Sequence, residues 1–600
     1  MIAGALGMTV ALVATIVVWS FVLGTWVPHR LAVAGATAGT LLSLTAPRPL
    51  AALLDAPLAV MHGGVVLLLF VSGLALLIAR RRRVGWSRDI ARTWVSASAG
   101  GILWVAVVAI SQILPGAARI GWVLNGDGLL QLEAVGRSLA QPEPGLARIP
   151  YAILTLTASP FGAIELSGET IGSEVYALVL AWALQLAMWC IIAGGVMSGL
   201  VPSTSRTTTV VVAAAGSMLP LTALMGGLAM EWGYVNANVA IPVALLTWLA
   251  LSESRRRPFA TIVVLAVVMS VLWLSWEPLA ALPGVAALTI AWRVRREVRH
   301  LRGFRLVVVC AAVSQFLLIF GSNYLNRTSS AGNALTIEGH GLPSMWLGLV
   351  LASVTAVAGA IFGRRLLPSW VLPSSVSVVA GAAVAMSVVL VFTVGDADAL
   401  SGYYPTKLMY FLCAVMFTIA AAVVVGLLSR VRVRSVATIG SAVAVTTALV
   451  IAAAIAPTAP GLDDSTWRRQ PPVAVLAGTQ WAEGEKSVDL FLKLAQPDHL
   501  GFLWRSGNPD EAIVDYRVIV TNGGNAYGDI PLRMVAFPGY QGRRASVDYP
   551  GVEPVQVCTV LARMPGVTIY TRAPDAVRKE LAQACDISHD DITVRSVDEL

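Results

Sequence analysis

Leu58-Ala-Val-Met-His-Gly-Gly-Val-Val-Leu-Leu-Leu-Phe-Val-Ser-Gly-Leu-Ala-Leu-Leu-Ile-Ala-Arg80, followed at once by Arg81, Arg82 and Arg83, is the stretch that decides the fold. Residues 57–79 carry no formal charge, and roughly 20 apolar residues in a row suffice for a helix to cross the hydrocarbon of a bilayer. Four consecutive arginines close the run at one end. Such clusters hold a helix terminus on the cytoplasmic side of a membrane. This unit, an apolar span closed by arginines, recurs along most of the chain.

Working outward, apolar runs of spanning character fall at 3–23, 31–54, 57–79, 93–114, 176–200, 207–229, 237–252, 259–275, 279–293, 305–320, 344–363, 371–393, 408–428 and 435–457. The expected fold is therefore an α-helical polytopic membrane protein with about 13–14 transmembrane helices. The lower figure applies if 31–54, which Pro47, Arg48 and Pro49 interrupt, lies on the surface. The first apolar stretch, Met1 to Gly24, reads as a span, because no basic residue precedes it and no small-residue cleavage site follows it. Composition agrees. Of the 600 residues, 56% are hydrophobic and 13% charged, against about 25% charged in soluble domains. The mean hydropathy is +0.74.

The net charge of +8 comes from arginines between the spans, at Arg80–Arg83, Arg255–Arg257, Arg293–Arg305, Arg364–Arg365 and Arg430–Arg434. That is a topology signal, and no nucleic-acid partner is expected. If Arg80–Arg83 is cytoplasmic, alternation of the spans puts every later arginine run inside. It places loop 115–175, the turns at Glu231 and Glu277, loops 321–343 and 394–407, and the tail outside. The expected location is the plasma membrane. Two domains follow: a transmembrane domain over 1–457 with its outer loop 115–175, and an extracytoplasmic soluble α/β domain over 458–600. In the tail, 513–520, 556–561 and 567–570 read as strands, and Asp575 to Cys585 reads as a helix with Pro574 near its start. Outside the cell thiols oxidise, so Cys558 and Cys585 are expected to form a disulfide, the alternative being two buried thiols.

Loop 115–175 contains Trp122-Val-Leu-Asn125-Gly-Asp127-Gly-Leu-Leu-Gln-Leu-Glu133. Gly126 and Gly128 allow a ligand to approach Asp127 closely. The following residues, with Glu133 and Arg137 on a polar face, read as a short amphipathic helix along the membrane surface. Asp127 is either a base at the headgroup level or the cap of that helix. A second candidate is Tyr403-Tyr404-Pro-Thr-Lys407. The chain has four lysines, three of them beyond residue 480, so Lys407 is the only lysine of the membrane portion. A compact ammonium on the outer side suits a phosphate; the alternative is a snorkelling interface lysine in an aromatic belt. Glu277, in a tight outer turn, and His340, in Glu-Gly-His-Gly, are further outer-face candidates. The spans lack charges near their centres, and no repeated half is visible, which weighs against ion-coupled transport.

Taken together, the many spans, the first large outer loop with its acidic turn beside an interfacial helix, and the outer C-terminal domain resemble the GT-C superfamily of integral membrane glycosyltransferases. Among these the chain looks most like the actinobacterial cell-envelope arabinofuranosyl- and mannosyltransferases. Where many members carry an acidic pair, this chain has Asn-Gly-Asp-Gly. The resemblance implies transfer of a sugar from a polyprenyl-phosphate donor to an envelope glycan or lipid acceptor by a single, inverting displacement. Asp127 would be the catalytic base. Lys407, Tyr403, Tyr404, Glu277, Asn125, Arg137, Glu133 and His340 would bind substrate, with a divalent cation as a possible cofactor. Two other readings stay open, a transporter or flippase of lipid-linked sugars and a non-catalytic envelope assembly protein.

Overall fold

The computed structural model describes residues 2–80, 86–112, 123, 146–161, 168–202, 206–231, 233–298, 302–326, 345–393, 403–430, 472, 501–503, 568–571, 574–585 and 593–596. These are overwhelmingly helical. The helices are α1 (Ile2–Leu23), α2 (His29–Ser43), α3 (Pro47–Leu54), α4 (Leu58–Arg80), α5 (Arg88–Ala97), α6 (Ala99–Ser111), α7 (Ile149–Ala158), α8 (Gly168–Ser198), α9 (Arg206–Ser217), α10 (Val235–Leu251), α11 (Pro258–Ser275), α12 (Ala281–Arg293), α13 (Phe304–Asn326), α14 (Trp346–Phe362), α15 (Val371–Thr393), α16 (Tyr403–Leu428) and, in the tail, α17 (Pro574–Cys585). Local chemistry starts several of them. Pro47, Pro150 and Pro258 sit in first turns, where a missing N–H costs nothing. Ser87 caps α5 by accepting the Ile90 amide.

Helices α8, α10 and α16 pack on one another and form the centre. α10 is buried along almost its whole length, and Trp182, Trp189 and Trp248 are fully enclosed. In the spanning windows of α8 and α16, 78% of residues are buried, against 22% in α1 and 17% in α4. The latter two therefore form the rim: α1 presents Val10 and Val17 outward, and α4 presents Leu67, Leu68 and Ile78. In water such a surface would be an aggregation patch; against lipid tails it is at home.

Seven stretches are long and apolar enough to cross a membrane: α1, α4, 176–198 of α8, 206–230, α11, 371–391 of α15, and α16. The pair α5–α6, bent by 40° at Ser98, makes an eighth. This architecture is consistent with a multi-pass membrane protein. The expected 13–14 long spans are not what the described residues show. α10 and α14 have 17 residues each, α12 has 13, and 31–54 divides into α2 and α3 at Thr45-Ala46. A 17-residue helix is about 25 Å long, short of the roughly 30 Å of hydrocarbon. α10 is enclosed by protein, so it has no lipid thickness to match. The span expected at 435–457 lies outside the described residues.

Contacts gather Arg80, Arg206, Arg293 and Arg430 at one end of the bundle. Arg80 lies over Trp26, 4.4 Å from its ring centroid. Arg206 pairs with Asp89 at 3.3 Å. Arg293 donates to Ser254 O, and Arg430 to Leu366 O and Leu200 O. At the opposite end His62 Nδ1 meets Ser159 Oγ at 2.9 Å, and Arg148 meets Glu277 at 3.8 Å. α2 starts at the arginine end and α4 at the other, so residues 29–57 traverse the bundle in two pieces.

In the tail, β1 (Gly501–Leu503), β2 (Thr568–Thr571) and β3 (Thr593–Ser596) form a parallel sheet in the order β1-β2-β3, with Thr568 opposite Thr593. α17 connects β2 to β3, buries Leu581, and sends Arg578 to Val594 O at 2.8 Å. The strand and helix expected near 567–570 and 575–585 are present. These elements alone do not establish the α/β domain expected over 458–600, and the strands expected at 513–520 and 556–561 lie outside the described residues. Cys585 is disulfide-bonded, while Cys190, Cys310 and Cys413 are free; Cys558 lies outside the described residues.

Candidate functional site at the end opposite the arginines

The first turns of α16 set out Lys407, Tyr410 and Phe411 at helical spacings of three and four, which share one face. Lys407 is 5% exposed. It does not snorkel to the surface as an interface lysine would. Its Nζ sits 3.7 Å from the centroid of the Tyr234 ring, a cation–π contact whose strength grows as water is removed. A cation this close to a helix N-terminus opposes the helix dipole, and the Tyr234 ring face offsets part of that cost. Phe411 packs against Tyr234, Tyr410 and Trp276, with ring centroids 6.5, 5.6 and 4.3 Å apart. Tyr404 packs against the core from the margin, and Tyr403 opens the helix.

Tyr410 Oη donates to Met225 O. Met225 lies in a π-helical turn, Ala223–Gly227, preceded by Pro220 and by Thr222 in an extended conformation. The segment 206–230 is thus broken midway. A π-turn displaces backbone carbonyls from the regular ladder, and Tyr410 takes one of them. Glu277 follows Trp276 and opens a 3-10 turn, Glu277–Ala280. It pairs with Arg148, which precedes α7. Lys407 and Glu277 therefore belong to one end of the bundle and are joined through Tyr234, Phe411 and Trp276. Asp127, Asn125, Glu133, Arg137 and His340 lie outside the described residues.

Two amides deepen this end into the bundle. Asn238, one turn after Tyr234 on α10, and Gln185, beside the Leu186 that touches Gly226, are fully buried. Neither side chain has a hydrogen-bond partner. A scan of the spans for charge passes over both; a lone amide in an apolar run is the signal that finds them. Arg148 and Tyr234 were also missed, since nothing local marks them. An unpaired buried amide costs about 1–3 kcal/mol. Gln185→Leu and Asn238→Leu are therefore expected to raise the thermal midpoint of the detergent-solubilised protein. A lower midpoint in both would mean that the amides are satisfied by the environment of the folded state.

Among the described residues no three His, Cys, Asp or Glu side chains gather as a metal site. Asp127, the acid of the first outer loop's Asn-Gly-Asp-Gly turn, lies outside those residues, so no step is routed through a cation. Comparison with protein-family models, with curated proteins and with solved structures finds no match for this chain.

Proposed function

We propose that the protein is a plasma-membrane glycosyltransferase that moves a sugar from a polyprenyl-phosphate donor to an envelope glycan or lipid acceptor at the end opposite the arginines. The observation that supports this reading most is the enclosed ammonium of Lys407. It sits in an aromatic wall at a helix N-terminus, next to a turn whose Glu277 pairs with Arg148. A compact cation in such a place suits the phosphate of a lipid donor, and would stabilise the charge that grows on that phosphate as it leaves. Asp127 takes the acceptor proton in this scheme. The test is transfer of radiolabelled sugar from polyprenyl-phosphate donors by the purified protein in nanodiscs. Absence of transfer from every polyprenyl-phosphate pentose and hexose tried, by folded protein, would remove the proposal.

The reading requires the arginine end to face the cytoplasm. In a chain with Cys310 replaced by Ser, a cysteine at position 148 should react with a membrane-impermeant maleimide in intact cells. One at position 255 should react only after permeabilisation. The reverse pattern would invert the protein.

A second reading, a carrier of lipid-linked sugars, is favoured by the broken segment 206–230 and by the unpaired amides Gln185 and Asn238. Broken helices and polar groups inside a bundle are what substrate paths in transporters use. Movement of a fluorescent lipid-linked sugar across proteoliposomes, with no change in its chemistry, would select it.

A further inference from the structure

A cavity of about 280 Å³ opens at the arginine end, far from the Lys407 cluster. Three helices begin on it. His29 and Arg30 open α2, Ser87 caps α5, and Arg206 opens α9. The first-turn amides of a helix and its dipole both favour an anion. α2 has no side-chain cap, because its N-cap residue is Pro28. Ser87 Oγ accepts the Ile90 amide at 3.3 Å, which leaves its hydroxyl hydrogen to donate.

The side chains add charge of the same sense. Arg30, Arg92 and Arg206 line the cavity together with a single acid, Asp89. Asp89 is shared between Arg92 at 3.7 Å and Arg206 at 3.3 Å. Arg92 and Arg206 are largely exposed, as arginines that merely anchor a helix end would be. Arg30 differs. It is half-buried and lies against the turn at Gly199. Among the described residues it makes no hydrogen bond and no ion pair. Burial lowers its pKa, while Glu253 pulls it up and Arg256 down. Burial raises the pKa of Glu253 in turn, against the pull of Arg30 and Arg256, and Glu253 does not line the cavity. Burial, with Arg30 second, pushes His29 down to about 4, so at neutral pH its ring offers an N–H and no charge.

We propose that this cavity is a binding site for a phosphate group, carried by an anionic lipid headgroup or by a soluble phosphate compound, with Arg30 as its principal ligand. The planar guanidinium fork matches two phosphate oxygens at once, and converging helix N-termini supply further donors. The volume lies just under the range of drug-sized sites, which suits a headgroup-sized anion. The site is independent of the chemistry proposed for the opposite end.

The experiment uses the full chain in maltoside detergent with two probes. Dioleoyl phosphatidic acid is followed by native mass spectrometry, with dioleoylglycerol as the control. Inorganic phosphate is followed by thermal shift against chloride of equal ionic strength. Whichever probe binds should bind roughly tenfold or more weakly to Arg30→Gln, with Arg30→Lys between. Arg206→Gln, at an exposed position where folding is safe, should weaken it less. Asp89→Asn should tighten binding, a direction that misfolding does not mimic. A lipid adduct without a phosphate shift assigns the headgroup, and a phosphate shift without a lipid adduct assigns a soluble ligand. Absence of binding by both probes would overturn the site. So would retention of full affinity in both Arg30→Gln and Arg206→Gln, or weaker binding by Asp89→Asn.

Discussion

Asp127→Asn is expected to lower sugar transfer by about 10²–10⁴-fold, the span over which a positioned general base contributes, while the protein stays folded and inserted. The amide keeps the size and polarity of the carboxylate and removes only its ability to take a proton. The companion variant is at Lys407. Because its side chain is enclosed, Lys407→Ala would confound loss of charge with a cavity. Lys407→Met keeps the volume and removes the ammonium. It should raise KM for the lipid donor, and Lys407→Arg should restore it only in part, since a larger planar fork does not replace a compact point charge in an enclosed space. Donor titrations in nanodiscs read both effects. Full transfer by Asp127→Asn would remove Asp127 as the base. Unchanged donor KM in Lys407→Met would make Lys407 a structural cation held by Tyr234.

The second large effect concerns the fold. Where α6 crosses α9, the Gly100 amide donates to Ser217 Oγ at 2.8 Å. A Cβ built on Gly100 would stand 2.1 Å from the backbone oxygen of Ser217. Gly194 on α8 is as tight, its Cβ position lying 2.6 Å from Ala213 O and 2.9 Å from the Ala97 Cα. The bent pair α5–α6 thus meets α8 and α9 backbone to backbone, as small residues permit in membrane bundles. No side chain can rotate away here, because the obstacle is main chain. Gly100→Leu should therefore cost about 3 kcal/mol, or leave no monodisperse protein in detergent. Ser217→Ala should cost about 1 kcal/mol for the lost hydrogen bond. Gly64→Ala on α4, with open space around it, should be neutral or slightly stabilising. Thermal midpoints by fluorescence-detected size exclusion check the order. A Gly100→Leu protein as stable as Gly64→Ala would show that α6 and α9 do not cross there.

By itself the sequence determined the class of protein and the end at which the arginines collect. Both are counting problems: apolar runs long enough for lipid, and cations at every second connection. It also located the α17 helix and the strand before it, since Pro574 and a β-branched run act locally. The single-lysine count pointed to Lys407. What it did not contain is which helix stands in the middle. A lipid tail and a protein interior are equally apolar, so the run that becomes the enclosed α10 reads like the run that becomes the rim helix α4. For the same reason hydropathy counted α10, α12 and α14 among the spans. Only tertiary structure decided that Lys407 lies buried on Tyr234, 173 positions earlier in the chain, that 206–230 breaks around a carbonyl taken by Tyr410, and that three helix starts converge on Arg30. Each depends on residues far apart in the chain, and packing alone chooses those partners.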